Sequence, residues 1–469
     1  MKNLKKRFEL ILPYIPKSIG AITTTLFVCA AVGMIATGLM PWFYIIFIAI
    51  AGLVSFQIII KPLFGADISR KKGVFLSVIS IVISVICVGV LSFSSTFINF
   101  LREIQTDNQN TETYSVIAKR SRSMTIDKAK TAGMVQTDPY IEDAKRELSK
   151  HINSQTKELA TTQAVMDNLT DETLDVIALN SGNLQLTKET NGEFDRDFEV
   201  IFTFTISVTS TKSSTEQTIS DSPFIVYISG IDTYGSIGTT SRSDVNMIAV
   251  VNPRDRRLLL VNTPRDYYVQ LHNTSGTKDK LTHAGLYGID MSRQTLEDLY
   301  DIEIPYYIRV NFSSIISLVD VIGGVNVYSD YTFGQFHEGY NQLDGKQALQ
   351  FSRERYSFTD GDRQRGRNQQ KVIEAIVSKM SSPSTLIKYQ SVLNSVQAMT
   401  QTNLASATIT SLVNNQLSNP RDWTVRSISI NGTGSTESTY TMGNQPLYVM
   451  IPDDSSVERA RKEIKILLQ

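Results

Sequence analysis

Residues 19–40, 42–60 and 74–93 are three apolar runs with almost no charge inside them. Each is long enough to cross a bilayer as a helix, and in lipid a single spanning segment must satisfy its own backbone hydrogen bonds by being one. A cleaved signal peptide would account for one such run, not three. Charge orients them. Lys2, Lys5, Lys6, Arg7 and Lys17 precede the first run, and Lys61, Arg70, Lys71 and Lys72 separate the second from the third. Both clusters belong on the cytoplasmic side. The first two runs are joined by little more than Pro41, a tight external turn. Three crossings then place everything after about residue 95 outside the cell. Pro13 and Pro16, beside Phe8, Leu10, Ile11 and Leu12, suggest a short interfacial segment ahead of the first crossing.

With 469 residues, the chain has room for two or three domains. Lys plus Arg equals Asp plus Glu at 46 each, so bulk charge does not point to nucleic acid. Both cysteines, Cys29 and Cys87, lie in apolar runs, which excludes a disulfide or zinc–thiolate site in the polar part. His151, His272, His283 and His337 lack ligand spacing. No Walker motif, GxGxxG or G-x-S-x-G elbow occurs, arguing against ATP, NAD and serine-hydrolase chemistry.

Composition divides the polar part. Residues 101–218 are rich in Thr, Ser, Asp and Lys; 140–166 reads as mostly helix and 198–208 as a strand. A small extracellular α+β accessory domain fits, with a spacer and packing role. Residues 209–223 read as a linker or exposed hairpin. Beyond them strands (224–231, 245–251, 258–261, 423–430, 447–451) alternate with helices (295–299, 312–319, 345–351, 363–380, 457–468). The spacing predicts an α/β, α-β-α layered domain. The expected division is a membrane anchor over 1–100, the accessory domain over 101–218 and the α/β domain over 219–469.

Three segments of the last part carry chemistry. In the first, Asp232 follows an apolar strand while Arg242 and Asp244 precede the next. Carboxylates at strand ends can hold Mg²⁺, a hard cation that prefers oxygen ligands and phosphate, although a turn cap and an Arg–Asp pair would explain the same spacing. The second is Asn262-Thr263-Pro264-Arg265-Asp266. If the strands around Asn252-Pro253-Arg254-Asp255 form a hairpin, Arg265 returns to the level of residues 242–244. The third, Arg353, Arg355, Arg363, Arg365, Arg367 and Gln369, is the densest arginine patch in the chain. At 100° per residue, Arg365 and Gln369 share a face with Val372 and Ile376, while Arg363 and Arg367 point away toward solvent. An arginine turned inward needs an anionic partner. Without interleaved aromatic residues the patch does not suit nucleic acid. Together the segments describe a pyrophosphate clamp, in which forked guanidinium groups and Mg²⁺ neutralise phosphate oxygens.

The motifs GIDTYGSIGTTSRSDVNMIAVVNP, LLVNTPRDYYV, YYIRVNFSSIISLVDVIGGVNV and LQFSRERYSFTDGDRQRGRNQQKV resemble the LytR–CpsA–Psr family over about 220–380. The three-helix anchor and accessory domain look like its capsule-biosynthesis members. The resemblance implies a catalytic domain over 219–469 that moves a glycan, here capsular polysaccharide, from a polyprenyl-pyrophosphate carrier in the bilayer to peptidoglycan, releasing polyprenyl phosphate. It also implies Mg²⁺ on Asp232 and Asp244. Pyrophosphate binding falls to Arg242, Arg265, Arg353, Arg355 and Arg365, with Gln369 in the pocket. The general base stays open between Asp266 and the metal-bound pair, and a metal that lowers the pKa of the acceptor hydroxyl is the simpler proposal. The lipid is expected in an apolar tunnel near Phe312, Ile315, Leu318, Val319 and Ile376. Other capsule assembly proteins are expected partners. Asn262-Thr263 departs from the Ser-Ile common in the family. The alternative reading is a non-enzymatic surface receptor that binds lipid-pyrophosphate and regulates capsule synthesis; it needs the same arginines but no turnover.

Overall fold

A computed structural model describes residues 14–38, 42–65, 69–105, 110–152, 155–208, 222–231, 237, 240–382, 400–404 and 406–469. They group into two compact units, one of residues 1–102 with 406–420, the other of residues 103–405 with 421–469.

The first unit holds α1 (Tyr14–Ala36), α2 (Trp42–Ser55) and α3 (Arg70–Gln105); α2 continues through a π-helical turn at Phe56–Ile60 into Lys61–Leu63. Its membrane spans are Tyr14–Ala36, Tyr44–Leu63 and Lys71–Asn99. The first starts and ends earlier than the apolar run: Pro16 is tolerated in a first helical turn, and Gly38, at φ 67°, ends the helix ahead of Pro41. Small polar residues join the helices, as is common in lipid. The Thr23 hydroxyl reaches the Ser80 carbonyl at 3.2 Å and Ser84 Oγ at 2.9 Å. The helices form a multi-pass anchor, and the large C-terminal region lies outside the cytoplasm.

In the second unit, β1 (Asn110–Lys119), β2 (Thr131–Val135), β3 (Gln155–Leu159), β4 (Val176–Asn180) and β5 (Phe198–Val208) form a sheet of order β3-β2-β4-β1-β5. Strand alternation sends Val116, Met134 and Ala178 into one core with α4 (Ile141–Leu148). Ile117, Val135, Ile177 and Leu179 enter another with α5 (Thr162–Thr170). α6 (Ser181–Thr190) follows β4. The helix expected over 140–166 is thus two helices separated by a strand. Ala144, Leu148 and Ile152 keep a helical stripe, but Gln155-Thr156-Lys157-Glu158 breaks it and pairs in parallel with β2.

The larger sheet contains β6 (Phe224–Ile231), β7 (Ser243–Asn252), β8 (Arg257–Thr263), β9 (Tyr306–Asn311), β12 (Thr400–Thr402) and β13 (Thr424–Ser429), in the order β12-β9-β6-β7-β8-β13. Separate hairpins are β10 (Val325–Ser329) with β11 (Gly339–Leu343), and β14 (Gly432–Thr439) with β15 (Gly443–Pro452). On one face, Tyr227, Ile248, Val250 and Val261 pack with α7 (Ile289–Tyr300) and the last helix, α12 (Asp454–Leu468). The other face carries α8 (Phe312–Val321), α9 (Gly345–Arg353) and α10 (Asp362–Met380), whose own core includes Val319, Phe351 and Val372. The remaining helix, α11 (Ser406–Ser418), belongs to the first unit. This is the expected α-β-α layering. Parallel pairs β6–β9 and β8–β13, with antiparallel β7, bring the ends of β6, β8 and β9 and the start of β7 to one sheet edge. In layered sheets such an edge is where ligands bind.

Candidate functional site

The β7–β8 hairpin makes the expected return. Asn246 lies opposite Thr263, so Arg265 falls beside residues 242–244. Arg265 Nη1 donates to Asp244 Oδ2 at 3.0 Å, and Thr282 Oγ1 donates to Oδ1 at 3.1 Å. Burial pushes the Asp244 carboxyl up, but Arg265, Arg242 and Arg365 outweigh it and hold the group below the usual range. Arg265, in turn, loses from burial and gains more from Asp244, Asp266 and Asp362, ending above its ordinary value.

α10 brings the arginine patch to this edge. It packs closely on β8, since a Cβ on Gly366 would meet Asn262 Nδ2 at 2.2 Å. The Gln370 amide donates to the carbonyls of Leu260 at 3.2 Å and Ile428 at 2.6 Å. Arg365 is buried in the first turns of α10 and pairs with Asp362 at 2.5 Å. That contact is an ion pair without an aligned hydrogen bond, and Asp362 Oδ1 has no hydrogen-bond partner. Burial lowers Arg365 against the pull of Asp362, yet an arginine stays cationic at neutral pH. Burial raises the Asp362 carboxyl against the pull of Arg365, with Asp266 raising it further.

Arg242, Asp244, Arg265, Arg353, Arg355, Arg365 and Gln369 all line one cleft of about 820 Å³. Val310, Phe312, Ile315, Ile316 and Leu349 supply its apolar wall. Of the residues expected along a lipid tunnel, Phe312 and Ile315 are in this wall; Leu318, Val319 and Ile376 instead belong to the core beneath it. The Arg353 guanidinium sits 4.2 Å from the centre of the Phe312 ring. Arg355 stacks on exposed Tyr356 at 4.6 Å. Asp232 lies outside the described residues. Among the described residues no three His, Cys, Asp or Glu side chains gather as a metal cage.

Asp266 opens onto a second cavity of about 570 Å³, shared through Arg265 and Arg355 and lined also by Lys280, Asp360, Asp362, Arg363 and Tyr448. Lys280 Nζ donates to Asp266 at 3.0 Å, and Arg265 Nε lies 3.7 Å from it. Arg363 does not point to solvent as the helical wheel suggested. It is half-buried and donates to the Gly432 carbonyl, because the β14–β15 hairpin covers that side of α10. Arg367 remains partly exposed and pairs with Asp360 at 2.6 Å. Asp362, Lys280 and Tyr448 were not singled out from sequence. Only Asp362 carried a signal, one turn ahead of Arg365.

Residues 199–464 match the LytR_cpsA_psr family, and the chain belongs to it. It is 40% identical over 190 residues to the protein named polyisoprenyl-teichoic acid–peptidoglycan teichoic acid transferase TagU of Enterococcus faecalis; that match covers 39% of this chain and 62% of the relative. The Bacillus cereus protein of the same name is 36% identical over 199 residues, covering 41% and 64%. The matched region therefore spans less than two thirds of these relatives. Among solved structures, TagV of B. subtilis is similar at 26% identity and a TM-score of 0.45, covering 53% of this chain and 98% of its own.

Proposed function

We propose that this protein transfers a glycan polymer from a polyprenyl-pyrophosphate carrier to peptidoglycan and releases polyprenyl phosphate. The observation that carries this reading is the composition of the cleft. Half-buried Arg265 and buried Arg365, with Arg242, converge opposite an apolar wall, as a ligand with a diphosphate head and a hydrocarbon tail requires. The membrane anchor suits a carrier that resides in the bilayer. An acceptor hydroxyl oxygen would attack the phosphorus bearing the glycan, and the bond from that phosphorus to the bridging oxygen would break. Polyprenyl phosphate leaves with the electron pair, while arginines stabilise the charge on the phosphoryl oxygens. The acceptor would enter from the second cavity. Of the carboxylates there, Asp362 suits the hydroxyl proton, because its Oδ1 has no hydrogen-bond partner and burial raises its carboxyl, whereas Asp266 is engaged by Lys280.

Asp244, an ionised oxygen donor beside three arginines, fits Mg²⁺ of the kind that takes one or two carboxylates and completes its shell with substrate phosphate and water. Asp244 would hold the ion, with Asp232 as the second carboxylate expected from sequence. When bound, Mg²⁺ would neutralise diphosphate charge. The polymer on this reading is capsular polysaccharide, following the resemblance of the three-helix anchor and accessory region to capsule members. The names of the relatives favour teichoic acid as the second reading. Detergent-solubilised full-length protein given labelled lipid-linked capsule repeat or lipid-linked teichoic acid, with peptidoglycan and Mg²⁺, distinguishes them. Capsule label on peptidoglycan supports the first reading, teichoic label the second, and label on neither contradicts the transferase assignment.

A further inference from the structure

The helix packed on β1 and β4 of the smaller sheet contributes a side chain to the cleft. Glu189, in the last turn of α6, accepts a hydrogen bond from Arg242 Nη2 at 2.7 Å. The same carboxylate oxygen accepts from Gln185 Nε2 at 3.1 Å, which fixes its direction. The two partners differ in exposure. The Arg242 side chain is 12% exposed and Glu189 47%, so the carboxylate meets the buried guanidinium from the open side of the cleft wall it helps to line. A carboxylate in a last helical turn opposes the helix dipole, so the cation is what stabilises Glu189 there.

The backbone leading to Arg242 is held from the same sheet. Glu112 on β1 is fully buried, and its two oxygens accept from the Thr240 amide at 2.7 Å and the Ser181 amide at 3.2 Å. Just beyond, Ser243 Oγ is tied to Ser229 at 2.8 Å and Tyr227 at 3.0 Å. Arg242 therefore sits on a fixed backbone and pairs with a solvent-accessible carboxylate.

We infer that Glu189 is a specificity-determining residue of the donor cleft, an internal anion that occupies Arg242 until a diphosphate displaces it. This rests on the proposed diphosphate site. Ligands with a single weak anionic group would not recover the lost ion pair, whereas a diphosphate supplies several oxygens to Arg242, Arg265 and Arg365 together.

The test measures binding of farnesyl diphosphate, a short soluble probe, to detergent-solubilised full-length protein. Glu189→Gln keeps the size and hydrogen-bonding capacity but removes the competing charge, and should tighten binding by about twofold to fivefold, the range of a half-exposed ion pair. Glu193→Gln, which removes an exposed carboxylate paired with Arg196, should not change it. In an Arg242→Ala background the Glu189→Gln effect should vanish. Unchanged or weaker binding by Glu189→Gln, or an equal gain without Arg242, overturns the inference. If the wild-type protein fails to bind the probe, the diphosphate reading itself fails, and this inference with it.

Discussion

Arg365 is the residue at which charge and geometry are most sharply separated. Lysine there would keep the charge and lose the planar fork. We predict that Arg365→Lys slows glycan transfer by about tenfold or more, equivalent to roughly 1.4 kcal/mol of lost transition-state stabilisation, and that Arg367→Lys changes it little. Equal losses at both positions would mean diffuse surface electrostatics instead of a clamp. Asp362→Asn should abolish the acid-side limb of the pH–rate profile; an unchanged profile would remove Asp362 as the base. The convergence of Arg365 and Gln369 was legible in the sequence because helical geometry puts both on one side of α10, where they line the cleft. Arg363 departs from the helical-wheel expectation because its surroundings come from a hairpin about 70 residues away in sequence, which no local periodicity encodes. Glu189 was invisible for the same reason, since its meaning depends on how a distant helix meets the strand entering at Arg242.

At the scale of elements, the cleft depends on close packing around small residues. A Cβ on Gly345, at the start of α9, would lie 2.2 Å from the Ile316 carbonyl oxygen on α8, and backbone cannot give way as a flexible side chain can. Gly345→Ala should therefore cost about 1–3 kcal/mol and widen the apolar wall, lowering the melting temperature together with transfer. A melting temperature equal to the wild type would show that α8 and α9 tolerate separation. Glu112 joins the two sheets in another way. Burial raises its carboxyl above the ordinary glutamate value of 4.5, against the opposing hydrogen bonds from Thr240 and Ser181. Below that value the group is protonated in both folded and unfolded chains and adds no pH dependence. As pH rises from 4.5 through the raised value, the folded chain must ionise a buried group that the unfolded chain ionises freely, so stability falls. Glu112→Gln should flatten this part of the melting-temperature profile. Most helices were readable from periodicity, but of the strands only those near 198–208, 224–231, 245–251, 258–261, 423–430 and 447–451 were, and β9 at the site edge was not. The strand over Gln155–Leu159 was not, because its short polar sequence is held by pairing with β2 and buries little of its own surface.

For the whole molecule, the apolar runs and their basic flanks sufficed to define the anchor and its orientation, since bilayer thickness leaves few alternatives. Protease added to wall-stripped intact cells should digest the large C-terminal region and spare the spans; full protection would reverse the topology. What separates an enzyme from a lipid-binding receptor is turnover. The decisive measurement is the release of polyprenyl phosphate from a lipid-pyrophosphate-linked glycan by the full-length protein with Mg²⁺, with and without peptidoglycan. The account predicts acceptor-dependent release over many cycles, with one glycan joined to peptidoglycan per polyprenyl phosphate formed. Saturable donor binding with neither release nor a glycan–peptidoglycan bond would contradict it.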